Sequence, residues 1–104
     1  MKIAVSDGDG GTTVKLTGDI HTEQGDELFQ GFNGIIEKNP KEVVIDLAGL
    51  KSITSSGIGK IVLLYKELNK KGGKIRIVGA NETIMQIFKI VKLDKLMKIE
   101  SLNT

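Results

Sequence analysis

The chain has 104 residues, enough for one domain spanning residues 1–104 with a modest core. It has no cysteine, which excludes a disulfide framework, a thiolate nucleophile and a zinc–thiolate site. Its formal net charge of +2 is too small to point to direct nucleic-acid binding, and no apolar run approaches the ~20 residues of a membrane helix, so no membrane insertion is expected and the cytoplasm is the default compartment.

The charge is unevenly placed. Residues 1–50 carry 4 basic and 9 acidic side chains, whereas residues 51–104 carry 11 and 4. Such a dipolar chain can steer a charged protein partner, or can simply coat exposed helix faces with solvated lysine.

Residues 2–5 read as a first strand. Residues 6–11, SDGDGG, read as a hairpin turn, because Gly and Asp tolerate the positive φ that hairpins demand. The later bidentate Glu of a calcium loop is missing, so no metal site is expected there. Residues 13–16 alternate as a second strand, with Val14 and Leu16 on one face. Gly18-Asp19-Ile20-His21 then leaves that strand, and Thr22 is the expected N-cap of a first helix. Glu23, Asp26 and Glu27 fall in its early turns, where the helix dipole favours them. Leu28, Phe29, Phe32, Ile35 and Ile36 make its apolar stripe. Gly25, Gly31 and Gly34 each weaken a helix by about 1 kcal/mol relative to Ala, and close packing against the sheet is one compensation open to them. Asn39-Pro40 ends the helix.

The stretch over residues 42–68, EVVIDLAGLKSITSSGIGKIVLLYKEL, is the organising one. Val43, Val44 and Ile45, running into Asp46-Leu47, read as a strand covered on both faces. A short loop follows, and then Ile58, Ile61, Val62, Tyr65 and Leu68 repeat at helical spacing. Lys70 and Lys71 close this second helix, and Gly72-Gly73 terminate it. Residues 74–78 form the next strand, Asn81 caps a third helix with stripe Ile84, Ile87, Phe88 and Val91, and residues 95–99 form a weaker last strand. The order β-β-α-β-α-β-α-β predicts a single α/β domain with a mixed sheet of about five strands and three main helices.

Thr54-Ser55-Ser56-Gly57 lies where the second helix begins. The first N–H groups of a helix lack partners, and the dipole there favours negative charge. A serine at such a point either caps the helix or carries a phosphate on anion-binding ground. His21, the one histidine, reads either as a surface or capping residue or as a neighbour of these hydroxyls that would favour a phosphate when protonated. Asp46, at the strand end, reads as structural, with contact to an ion or nucleotide as the alternative. No Gly-x-Ser-x-Gly elbow, no carboxylate to orient His21 and no phosphate-cradling glycine loop is present, so neither a catalytic residue nor a cofactor is expected.

DLAGLKSITSSGIGKIV resembles the signature of the STAS domain, the fold of bacterial anti-sigma factor antagonists, in which a strand, a loop and Asp-Ser-Ser/Thr-Gly-Leu/Ile-Gly open a helix. Leu16-Thr17-Gly18-Asp19-Ile20, Lys71-Gly72-Gly73-Lys74-Ile75-Arg76-Ile77 and Leu93-Asp94-Lys95-Leu96 are similar to further family segments, in the family's order. The resemblance implies a switch. Ser55, with Ser56 as second choice, stands at the phosphoacceptor position, and Asp19, His21, Thr22, Thr54, Ser55, Ser56 and Gly57 stand at the partner-binding surface. It further implies an anti-sigma factor that is also a serine kinase as one partner, and a phosphatase as another. A non-phosphorylated STAS scaffold within a sensory or transport-associated complex is the alternative. Thr54 and His21 occupy positions where the family carries Asp, which changes the charge around the hydroxyl.

Overall fold

The computed structural model describes residues 2–8, 11–20 and 25–101, with Ile20 described through its backbone. Five strands lie in the order β1-β2-β3-β4-β5: β1 (Lys2–Gly8), β2 (Gly11–Ile20), β3 (Glu42–Ile53), β4 (Lys74–Ala80) and β5 (Lys98–Ser101). The first pair is antiparallel and the remaining pairs are parallel. Helices α1 (Gly25–Glu37), α2 (Ser55–Lys70) and α3 (Glu82–Ile90) make the three crossovers, and a 3-10 turn (Leu93–Lys95) precedes β5. The predicted class and element order hold.

Each parallel strand is laid beside the previous one in a single direction of travel. Right-handed crossovers then put all three helices on one face of the sheet. On that face Val14, Leu16, Val43, Ile45, Leu47, Ile75 and Ile77 meet Leu28, Phe32, Ile61, Leu64, Ile84 and Phe88 in one core. The register sets Ser6, Thr13, Val44, Arg76 and Lys98 abreast on the opposite face, where none is fully buried. The expectation that residues 43–47 are covered on both faces is therefore corrected. A run of β-branched residues marks a strand here, but the second face carries polar neighbours and ion pairs from Glu100 to Arg76 (4.0 Å) and Lys98 (3.9 Å).

Strand lengths also differ from expectation. Residues 6–8 belong to β1, pairing as far as Gly8↔Gly11, and residues 18–20 remain in β2. Of residues 49–56, read as loop, 49–53 instead continue β3 beside the lengthened β2, and Ser55 and Ser56 already belong to α2. At the other edge β5 starts at Lys98, because residues 93–95 form the 3-10 turn. Val91, expected inside, is 50% exposed. Lys92 takes φ 61° and turns the chain back, so that Leu93 and Met97 fill the core instead.

The helices obey their stripes with small rotations. In α2 the buried line is Ile58, Ile61, Leu64 and Leu68, flanked by partly buried Val62 and Tyr65. Its end is closed by Gly72 at φ 78° and by the Gly73 N–H donating to Leu68 O at 2.8 Å. Lys71 Nζ donates to Ile36 O (3.3 Å), which caps the end of α1 as well. Gly25 compensates for its weak helix propensity against a helix rather than the sheet. A Cβ there would lie 3.1 Å from Ser56 Oγ, so the starts of α1 and α2 are in close contact. Gly31 makes an ordinary contact with Ile3, and Gly34 faces open space.

Candidate functional site

The site lies at the carboxyl ends of β2 and β3, where functional loops gather in parallel arrangements. Pairing of β3 with β4 runs only to Asp46↔Val78, while β2 and β3 stay paired to Ile20↔Ile53. The two strands thus project beyond the sheet as a two-stranded extension. At two register shifts, opposite the steps from Lys15 to Thr17 and from Gly18 to Asp19, β3 carries one residue more than β2, and these extra residues bend β3. Ala48 and Gly49 are both exposed, the sign of an extra residue in the ladder. Gly49 admits Thr17, whose Cγ2 would be 2.7 Å from any Cβ at that position. Where β4 leaves β3, Gly79 takes φ 76°, and a Cβ added there would lie 2.9 Å from the Ala48 nitrogen. A side chain at Gly79 has neither the conformation nor the room.

Two hydrogen bonds fix the extension. Ser52 Oγ donates to Asp19 Oδ1 at 2.6 Å, across the register pair Asp19↔Ser52. Asn81 Nδ2 donates to Leu50 O at 3.1 Å on the side that β4 has vacated, while its Oδ1 accepts from the Ile84 N–H (2.9 Å) and caps α3. Asp46 Oδ1 accepts from the Ala48 N–H at 2.9 Å, which gives Asp46 the structural role expected of it.

Helix α2 begins one residue after β3. Thr54 is its N-cap: φ is −93°, ψ is 168°, and Oγ1 accepts from the Gly57 N–H at 3.4 Å. Of the two duties weighed for the serines, capping therefore falls to Thr54. Ser55 is the first helical residue and its side chain is exposed. Ser56 is half-buried against Gly25, and Gly57 is buried. Gly59, one turn beyond Ser55, leaves open space where a side chain would stand. The first turn of α2 contains no acid. Lys60 lies one turn beyond Ser56, with its ammonium 5.1 Å from the centre of the Phe29 ring.

Asp19, Thr54, Ser55, Ser56 and Gly57 accordingly lie at one end of the domain. His21 and Thr22, the remaining candidates, fall outside the described residues. Sequence reasoning missed Ser52 and Asn81's second bond, since both depend on β3 continuing beyond Leu47. The flanking Leu50 and Ile53, now buried at 2% and 7%, were the available signal.

Among the described residues, neither of two surface cavities touches Ser55. The larger, about 320 Å³, lies at the opposite end among Asp7, Thr12, Lys38 and Lys41. There Lys38 Nζ donates to Asp7 Oδ2 (3.2 Å) and Thr12 Oγ1 to Oδ1 (3.0 Å), and these bonds hold the Asp7 carboxyl below its ordinary value. The other, about 270 Å³, lies between α3 and the end of the sheet. Among the described residues no cluster of His, Cys, Asp or Glu is able to hold a metal ion, and no helix is long and apolar enough to cross a membrane.

The geometry defines a class first: a small α/β domain presenting a low-relief surface of short side chains around a helix start. Residues 2–102 match the STAS domain, and the chain belongs to that family. The anti-sigma F factor antagonist of Paenibacillus polymyxa is 29% identical over 87 residues, covering 83% of this chain and 74% of that protein. An anti-sigma factor antagonist from Mycobacterium paratuberculosis superposes with a TM-score of 0.87 at 24% identity, over 95% of this chain and 84% of that one. The Bacillus cell fate determinant SpoIIAA in its phosphorylated form gives a TM-score of 0.75 at 15% identity, over 94% and 90%. These superpositions are likenesses of fold.

Proposed function

We propose that this chain is an anti-sigma factor antagonist that works as a phosphorylation-controlled binding switch. The unmodified surface around Ser55 binds an anti-sigma factor that is also a serine kinase, and transcription is regulated through that sequestration. One observation carries the reading. Ser55 is an exposed hydroxyl at the first position of α2, and the structural duty of capping is performed by its neighbour. The match of the chain to relatives named as anti-sigma factor antagonists supports the same role, as does a fold shared with a protein whose phosphorylated form is known.

Phosphate at Ser55 adds roughly −1.5 to −2 charges beside the positive end of the α2 dipole. Thr54 already satisfies the Gly57 N–H, and no acid stands in the first turn to repel the new group. The fold tolerates the modification. The partner does not, because charge placed within a contact surface costs desolvation and repulsion. A phosphatase resets the switch. Ser56 is the weaker acceptor, being half-buried against Gly25.

The test is incubation with the cognate kinase and ATP, followed by mapping of the modified residue. Phosphate on Ser55, absent in Ser55→Ala, is the expected result. Phosphate on Ser56 alone moves the acceptor by one residue. No phosphate, with partner binding intact in Ser55→Asp, leaves the scaffold reading in place of the switch.

A further inference from the structure

The corner formed by residues 90–96 carries apolar surface that the core does not use. Ile84, Phe88, Leu93 and Met97 already anchor α3 and the 3-10 turn, all at 6% exposure or less. Ile90, Val91 and Leu96 nevertheless stand 78%, 50% and 45% exposed. Single exposed apolar residues need no explanation, but three in one seven-residue corner do. Lys89, Lys92 and Lys95 alternate with them and are exposed, and none has an ion-pair partner among the described residues. Asp94 is the single acid of the corner, and Lys98 beyond it is occupied by Glu100 at 3.9 Å.

Lys92 adds a second oddity. It holds φ 61° just past the end of α3, a position where glycine is the inexpensive choice. Lysine stands there against its conformational preference.

We propose that this corner docks peripherally on an anionic lipid surface. Apolar tips ringed by unpaired lysines are the pattern of an interfacial anchor, in which the tips enter the headgroup boundary and the ammonium groups meet lipid charge. The apolar tips Ile90, Val91 and Leu96 line neither of the two cavities, although Lys89 borders the one beside α3, so the tips themselves do not rim a described pocket. A lipid interface requires none. The topology adds a consequence. Helix α3 starts beside Leu50 at the Ser55 end and returns to the start of β5, which pairs in parallel with β4. The corner therefore sits at the end of the sheet opposite Ser55, and docking leaves the Ser55 surface facing solution.

The test is cosedimentation of the whole chain with vesicles of phosphatidylcholine and phosphatidylserine in equal parts, and with phosphatidylcholine alone. The expected result is binding to the mixed vesicles at low salt, release as salt rises, and no binding to phosphatidylcholine. Ile90→Asp changes a side chain that is 78% exposed, so it should keep the wild-type circular dichroism and Tm. It should weaken vesicle binding about tenfold through lost apolar transfer. Lys92→Gly should raise Tm by a few degrees by relieving the backbone, yet weaken binding roughly fivefold through the lost charge. A purely structural corner would give the first effect without the second. Wild-type protein remaining in the supernatant with the mixed vesicles at low salt overturns the proposal. So does vesicle binding that is unchanged in both variants.

Discussion

Replacing Asn81 with Ala should cost about 2 kcal/mol. Two bonds are lost at once. The Oδ1 cap to the Ile84 N–H is worth ~1 kcal/mol, within the 0.5–2 kcal/mol span of such caps. The Nδ2 bond to Leu50 O contributes another 0.5–1.5 kcal/mol, roughly, and its removal leaves that carbonyl without Asn81 on the side vacated by β4. Asn81→Ser separates the two effects, since it retains a capping oxygen but lacks the amide donor, and should cost about 1 kcal/mol. Urea unfolding at fixed pH measures both differences. In a thermal scan the Ala variant should melt about 8–16 °C lower, at 4–8 °C per kcal/mol for a domain of this size. An Ala variant within ~0.5 kcal/mol of wild type would refute the claim that Asn81 joins α3 to the extended β3. Equal losses in Ala and Ser variants would show that the Leu50 bond carries all of it.

Further consequences follow for the core, a backbone and an ion pair. Leu64 is fully buried in α2, so Leu64→Ala should lose 2–5 kcal/mol by denaturant unfolding, roughly, whereas Tyr65→Ala, on the flank of the stripe, should lose less. Gly79→Ala should destabilise by more than ~1 kcal/mol, because the position combines φ 76° with backbone 2.9 Å from the new Cβ; a neutral result would contradict the close approach to Ala48. Lys38 and Thr12 lower the Asp7 pKa, so the contribution of Asp7 is present above the ordinary aspartate range and is lost as pH falls through its folded value. The difference in Tm between wild type and Asp7→Asn should therefore be constant near neutrality and shrink in acid, with the same difference at every pH contradicting it.

The layout of this domain was largely legible in the sequence, because helix stripes and β-branched runs report burial directly. Leu28, Phe32, Ile61, Ile84 and Phe88 all turn inward as their spacing required. What failed was the length of strands. Residues 48–53 hold Gly49, Lys51 and Ser52 between apolar positions, and two consecutive exposed residues at the bulge break the period of 2 on which a strand reading depends. The hydroxyl at Ser55 was legible as lying at a helix start, but which hydroxyl caps was not. Thr54, Ser55 and Ser56 are all acceptable caps, and only backbone angles distinguish them. Ser52 was invisible for another reason. Its bond to Asp19 spans 33 positions and exists because β2 outlasts its predicted end. Likewise Val91 fits a helical stripe, yet the turn at Lys92 removes it from the core before the stripe is complete.

The central claim is that Ser55 phosphate disrupts a complex without disrupting the fold. Its most direct test is calorimetric titration of the cognate anti-sigma factor with two samples of this protein, one unmodified and one stoichiometrically phosphorylated on Ser55, each shown to have the same circular dichroism spectrum. The phosphorylated sample should bind at least about a hundredfold more weakly, corresponding to ~3 kcal/mol of desolvation and repulsion within the interface. Equal affinities for the two samples would contradict the switch.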